Sequence, residues 1–386
     1  MSKGTDAGLL DQPKAQSVYK HGILDQYAIR FAAMTASTLK PKRAVLFDGF
    51  AGRGRFDDGS AGSGEHMMLH AQKIKHSTQI DVFLVEQNPS DWAKLEAVAD
   101  EYRARGINIE TRNADCADHL DEVYRYAAGA SLFMFLDPCG AVLPFQTLHP
   151  LLTRRGDWPR TEFLMNFSAD LIRRAGGQYK KGQLDSPGIA QADRVCGGDW
   201  WREVALGAHE ASGGVSWEGA AEAVAIEYSK RLTAGTRFDW AVTPVRRQVH
   251  HQPVYFLIFL TTKPHGFWVF GDASSRAREK WLTFLGPDEE ELDYMLFDTV
   301  ADQLKREHKT AIATITSNLR SLCAKGGTYP VVQHWAEIFG DVYGEAKETA
   351  FSVALRQLVK DGEIEFVNRG GKPHQHVIRR APEITP

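Results

Sequence analysis

Five short apolar runs constrain this chain more than any other feature: "AVLFDGF" (44–50), "IDVFLVE" (80–86), "INIETRN" (107–113), "LFMFLD" (132–137) and "EFLMNF" (162–167). Each is continuous rather than alternating, as suits a strand buried on both faces. Helix-like stretches at 63–76, 89–105 and 115–128 lie between them. That alternation predicts βαβ units and a parallel sheet with helices on both sides. Two further strand candidates come later in "FDWAVTPVRRQV" and "PVYFLIFLTT", separated only by His250–Gln252, so they predict an antiparallel hairpin.

Around this core the pattern changes. Residues 16–40 carry Ile23, Leu24, Tyr27, Ile29, Phe31 and Met34 at helical spacing, and Pro41 stops the helix. Residues 168–238 are rich in Gly, Trp, Arg and Ala and read as a helical insertion. Residues 264–300 read as helix with polar joints. The tail holds two helix-like stretches, "TYPVVQHWAEIFG" and "KETAFSVALRQLVKDGEIEF", then strand, Gly-Gly turn and strand in "EIEFVNRGGKPHQHVIRR". That is a winged-helix pattern. In its second helix Val353, Leu355, Leu358 and Val359 would face the core, leaving Arg356, Gln357 and Lys360 outside. Arg369, Lys372, Arg379 and Arg380 mark the hairpin. The expected organisation is an arm and helix (1–42), a Rossmann-like α/β domain (43–270), a helical linker (271–305) and a winged-helix-like domain (306–386).

With a net charge of −3 over 386 residues, the chain is no basic coat, and nucleic acid would have to meet local patches. Its four cysteines, Cys116, Cys139, Cys196 and Cys323, show no CxxC spacing, which signals neither a zinc knuckle nor a redox pair. The N-terminus lacks the apolar core of a signal peptide and no run reaches membrane-spanning length. These features predict a reduced, cytoplasmic protein.

The first apolar run leads into Asp48-Gly49-Phe50-Ala51-Gly52-Arg53-Gly54. Glycines there permit a sharp turn and close approach of backbone to a ligand. The order matches neither the GxGxxG of dinucleotide folds nor the GxxxxGK[ST] of a P-loop. It resembles the first motif of S-adenosylmethionine (SAM) methyltransferases, which implies a loop cradling the methionine part and an acid contacting its amino group. Position corroborates this. Glu86 ends the second run, where an acid accepts from ribose hydroxyls. Asp115 comes after the third, where it can meet an adenine amine, and Asp137 ends the fourth. Each acid alone has the bland reading of a helix cap; four at strand ends share one edge. Five parallel strands closed by an antiparallel pair is also the order of a class I methyltransferase sheet.

"KHGILDQYAIRF", "DGFAGRGRFDDGSAGSG", "FLVEQ", "FLDPCG" and "LMNFSADLIRR" together resemble the three-Cys-motif partner (TcmP) family over residues 17–262. The resemblance implies a methyltransferase-like protein found beside a radical-SAM-type partner bearing three cysteines. A looser similarity, through "LFDGFAGRGRF" and the preceding "ILDQY", is to adenine-N6 rRNA methyltransferases. Amino-methylating enzymes use [DN]PP[YFW], in which the ring stacks on a flipped base. This chain has Asp137-Pro138-Cys139-Gly140, keeping the acid and proline without the ring; Phe135 or Phe167 are the rings that could stand in.

The sequence therefore points to Asp137, Pro138, Cys139 and Asn166 as the catalytic set. Asp48, Gly49, Phe50, Gly52, Gly54, Glu86 and Asp115 form the cofactor set. A covalent role for Cys139 is the alternative to its lining the acceptor pocket. Arg173, Arg174, Arg356, Lys360, Arg369 and Lys372 are candidate nucleic-acid contacts. His66 and His70 lack the HExxH of a metal helix and read as helix surface, so no metal is expected; His250 and His251 read as solvated. Rival functions are a SAM-binding, catalytically idle partner subunit and a nucleic-acid-binding defence or regulatory factor.

Overall fold

The computed structural model describes residues 15–138, 143–154, 159–286 and 299–382. They form two compact units. One contains the described residues up to Ser17 together with Ala28–Thr262; the other contains Val18–Tyr27 and the described residues from Lys263 onward. Helix α1 (Ala15–Ala36) contributes to both.

The first unit is built on β1 (Arg43–Asp48), β2 (Gln79–Val85), β3 (Ile109–Arg112), β4 (Ser131–Leu136), β5 (Arg160–Ser168), β6 (Asp239–Val245) and β7 (Tyr255–Thr261). They form one sheet in the order β3-β2-β1-β4-β5-β7-β6. Strands β1 to β5 pair in parallel, while β7 runs antiparallel to both β5 and β6. This is the Rossmann-like class I methyltransferase topology that the sequence predicts. Helices α2 (Ser63–Ile74), α3 (Pro89–Arg103), α4 (Cys116–Tyr126) and α5 (Phe145–Thr153) serve as crossovers. The insertion supplies α6 (Ala169–Lys180), α7 (Pro187–Cys196), α8 (Trp201–Ala211) and α9 (Glu218–Thr233).

Burial explains why the apolar runs are continuous. All residues of β4 and all but the first of β1 and β2 are inaccessible or nearly so. Each large apolar side chain buried this way contributes about 1.5–3 kcal/mol. Edge strand β6 instead alternates, with Ala241, Thr243 and Val245 buried and their neighbours less so, as a strand covered on one face must.

Two local expectations need correction, and one helix goes unread. The β6–β7 link is the whole of Arg246–Val254, not His250–Gln252. Strand β6 stops at Val245 because the chain turns there, His251 N–H donating to Gln248 O and Val254 N–H closing onto Val245 O. Helix α5 carries Pro150 inside it, a residue that masks helical patterning. His70, read as surface, is buried, as is Glu65 on the same helix. Glu65 accepts from Arg55 and from the Tyr102 hydroxyl at 3.0 Å. Those bonds give the buried carboxylate the partners that its burial demands.

In the second unit, α10 (Pro264–Leu285) precedes α11 (Val300–Ala324), β8 (Thr328–Pro330), α12 (Trp335–Phe339), α13 (Glu348–Lys360), β9 (Ile364–Asn368) and β10 (Val377–Arg380). The strands form a small antiparallel sheet in the order β8-β10-β9. Trp268, Ile315, Leu319, Val331, Ile338, Phe351, Leu355, Leu358, Ile364 and Ile378 make its core. The expected junction at 305/306 falls inside α11, whose start is fixed by a Thr299–Asp302 capping box. Residues 264–270, grouped in sequence with the first domain, belong to this second unit through α10. Val353 is exposed, since on α13 the inward stripe is Ala350, Phe351, Ala354, Leu355 and Leu358. Val359 is partly buried against the same core. Strand β8, only three residues long, leaves no readable sequence signal.

Candidate functional site

The five parallel strands place their carboxyl ends at one edge, and period two fixes which side chains share a face there. Asp48 is in register with Leu84 on one side and with Phe135 on the other. Two residues beyond these partners stand Glu86 and Asp137, so all three acids fall on the same face. Leu136 pairs with Met165, which brings Asp137 level with Asn166. Asn166 Nδ2 donates to Asp137 Oδ1 at 2.9 Å. Two members of the expected catalytic set thus meet across β4 and β5. Asp137 and Pro138 are both buried. Cys139 lies outside the described residues.

The loop after β1 is closed from within. Asp48 is fully buried, and its Oδ1 accepts from Phe50 N–H at 3.0 Å. Gly49 N–H donates to Phe135 O and Ala51 N–H to Val85 O. Gly52 N–H donates to Glu86 Oε2 at 2.9 Å, and Asn88 N–H to Glu86 Oε1 at 2.7 Å. Glu86 therefore braces the loop to the end of β2. Burial pushes its carboxyl above the usual carboxylate range, against the pull of the Asn88 and Gly52 N–H groups.

Two glycines are required here for different reasons. A Cβ on Gly49 would sit 2.5 Å from Cys116 Sγ, so packing excludes any side chain. Gly52 holds φ +58°, and a Cβ there would meet nothing within 4 Å. The left-handed backbone selects glycine, and room is left open above the loop beside Glu86.

These features fit SAM. A carboxylate offers about four lone-pair sites; Glu86 spends two on backbone, which leaves two, the number a pair of hydroxyls would need. Asp115 caps α4 by accepting from Ala117 N–H at 2.8 Å and is exposed at the end of β3. The loop's N–H groups mostly point into the protein rather than outward. Between it and α2 the chain makes a detour with an Arg55–Ala61 bridge. This is no anion cradle leading straight into a helix, as a dinucleotide site requires. A cofactor without phosphates suits it better.

Of the two expected stand-in rings, Phe167 packs on Tyr228 at 4.8 Å on the opposite face from Asn166, whereas Phe135, also buried, shares the face of Asp48 and Asp137. Sequence reasoning missed Tyr255. It opposes Ser168, which shares a face with Asn166, and is only partly buried. Its hydroxyl donates to Gln16 O at 3.2 Å. The signal was obscured because it needs the β5–β7 register. Of the candidate anion contacts, Arg173 is engaged by Asp170 and by Pro253 O, whereas Arg174 is exposed. Arg356, Lys360, Arg369 and Lys372 are exposed on α13 and in the β9–β10 link.

No protein-family model and no curated protein matches this chain. Similar solved structures include the small RNA methyltransferase HEN1 (TM-score 0.34, 8% identity, covering 68% of this chain and 27% of that one). Another is an rRNA methylase from Streptococcus thermophilus (TM-score 0.27, 12% identity, 61% and 93%). A third is P. horikoshii TYW2 in complex with MeSAdo (TM-score 0.28, 12% identity, 60% and 61%). The chain thus spans about a quarter of the first of these proteins and about three-fifths of the last.

Proposed function

We propose that this chain is a SAM-dependent methyltransferase acting on nucleic acid, of the three-Cys-motif partner type and working beside a radical-SAM-like protein. The observation that carries the reading is the convergence of Asp48, Glu86, Asp137 and Asn166 on one face of one sheet edge, with Glu86 bound to the glycine loop. SAM, when bound, supplies a sulfonium methyl group. Glu86 would hold the ribose, Asp115 the adenine amine, and Asp48 the end of the loop. Asp137 would accept a hydrogen bond from the acceptor group and raise its nucleophilicity. Asn166 fixes the Asp137 carboxylate in place, and Tyr255 would supply the ring that position 139 lacks.

The second unit supports the nucleic-acid part of the reading. Helix, strand, two helices and two strands, with the sheet order β8-β10-β9, is the order a winged helix would have. Arg356 and Lys360 would then lie on the recognition helix and Arg369 and Lys372 on the wing. The idle-subunit reading is favoured by one observation, that Phe135 and Phe167 are both buried and Phe167 packs on the face opposite Asn166. Calorimetry with SAM and its demethylated product, then tritiated methyl transfer to DNA, RNA and protein fractions, separates the two. Binding with transfer to a nucleic acid is expected. Binding without transfer to any fraction establishes the idle subunit, and no binding removes both.

A further inference from the structure

Strand β7 runs opposite to its neighbours, so the link Arg246–Val254 emerges at the same sheet edge as the carboxyl ends of β1 to β5. That link is held firmly. Asp170 N–H donates to Val254 O at 3.3 Å and Arg173 to Pro253 O at 2.5 Å. Arg246 donates to His251 O and to Glu218 Oε1, both at 2.7 Å. The clamped link presents outward Arg247, Gln248, Val249, His250, His251 and Gln252, all exposed.

Charge at this rim is unbalanced. The two acids within it, Asp170 and Glu218, are already matched by Arg173 and Arg246. Arg247 makes no hydrogen bond or ion pair with any described residue. Arg174, one turn into α6, bonds only through Nε to Asp170 O at 3.2 Å. Three exposed arginines elsewhere, Arg231, Arg320 and Arg379, are instead neutralised by Glu227, Glu363 and Glu365. The sheet edge behind the rim carries Glu86, Asp115 and Asp137, with Asp48 buried beneath the loop, and this concentration of acids would repel a polyanion. A cationic rim offsets that repulsion where the polymer must pass.

We propose that Arg247 on the clamped β6–β7 link and Arg174 on α6 form a phosphate-gripping rim that holds a single-stranded nucleic acid against the Asp137–Asn166 site. This rests on the nucleic-acid acceptor proposed above. The immobilised backbone matters because a preordered loop loses little entropy on binding.

The test is fluorescence anisotropy of the full chain with labelled single-stranded RNA and DNA, over a range of salt concentrations, with polyglutamate as competitor. Variants are Arg247→Gln, Arg174→Gln, their double, Arg247→Lys, and Arg356→Gln/Lys360→Gln. Each glutamine variant at the rim should weaken binding several-fold at low salt and lower the log–log salt slope by about 0.7. Arg247→Lys should keep the slope, and SAM calorimetry should be unchanged throughout. An unchanged slope in the double variant overturns the proposal. So does a loss confined to the Arg356/Lys360 variant, displacement by polyglutamate as effective as by unlabelled oligonucleotide, or failure of the native chain to bind either strand. Slopes that fall in the rim variants of a chain that ignores SAM would uphold the rim while removing the methyltransferase reading.

Discussion

Replacing Glu86 by glutamine tests the cofactor site at its hinge. Glutamine keeps one acceptor oxygen and turns the other position into a donor. That donor must face the N–H of either Gly52 or Asn88, which the carboxylate accepts at 2.9 and 2.7 Å. An unsatisfied donor costs about 1–3 kcal/mol when buried; Glu86 is only partly buried, so about 1 kcal/mol of stability is expected to go. The larger loss is in the complex. Hydrogen bonds to a charged acceptor contribute about 1.5–3 kcal/mol each and neutral ones about half as much. Removing one ribose bond and weakening the other should cost about 2–4 kcal/mol, or about 30- to 1,000-fold in SAM affinity. Calorimetry with SAM and its demethylated product measures this, and a thermal melt measures the loop. Unchanged affinity with a lowered melt would refute the ribose role and leave Glu86 a loop brace.

The same residue predicts opposite pH effects. Burial raises its pKa, so its contribution to the stability of the free chain is complete below the unfolded carboxyl's pKa. That contribution is lost as pH rises through the folded value. Ribose binding needs the ionised form. SAM affinity should therefore fall on acidification, beginning above the ordinary glutamate range, and the glutamine variant should be flat there.

Gly49→Ala should destabilise by about 1–3 kcal/mol, read by denaturant titration, because its Cβ meets Cys116 Sγ at 2.5 Å. Adding Cys116→Ala should recover part of that loss, since residues in contact couple. Asp137→Ala should keep SAM binding while lowering methyl transfer about 100-fold or more in the tritium assay, whereas Cys139→Ser should remain active; an inactive serine variant that still binds SAM would promote the covalent route. Tyr255→Phe should retain transfer and Tyr255→Leu should raise KM for the acceptor without changing SAM affinity. Equal kinetics in the two would exclude a stacking ring.

Much of the first unit is legible because the strands that make it are buried on both faces, so their runs stand out without alternation. Signals fade where burial is one-sided or the element short. Strand β8 has three residues, and β6 ends where a turn replaces the ladder. The glycine loop is legible too, but its sequence predicts N–H groups facing a ligand. In the structure Gly49, Ala51 and Gly52 turn theirs onto Phe135, Val85 and Glu86. The glycines are selected by Cys116 packing and by the left-handed backbone at Gly52. A sequence shows that bare backbone is needed without showing which demand requires it.

The acids show where such reading stops. Asp48, Glu86, Asp115 and Asp137 are found simply by inspecting the end of each apolar run and the residues just past it. Their mutual arrangement depends on sheet order, which no single run encodes. Asp137 and Asn166 meet because β4 lies beside β5 with Leu136 level with Met165; one residue of slip would turn the amide to the opposite face. Tyr255 reaches the same face only because β7 is inserted antiparallel between β5 and β6, setting it opposite Ser168. Inserted in parallel, β7 would carry Tyr255 to the other end of the sheet, and a ring beside Asp137 would have to come from another element. The reversed strand that defines this topology is thus also what delivers Tyr255 and the Arg247 link to the acceptor side.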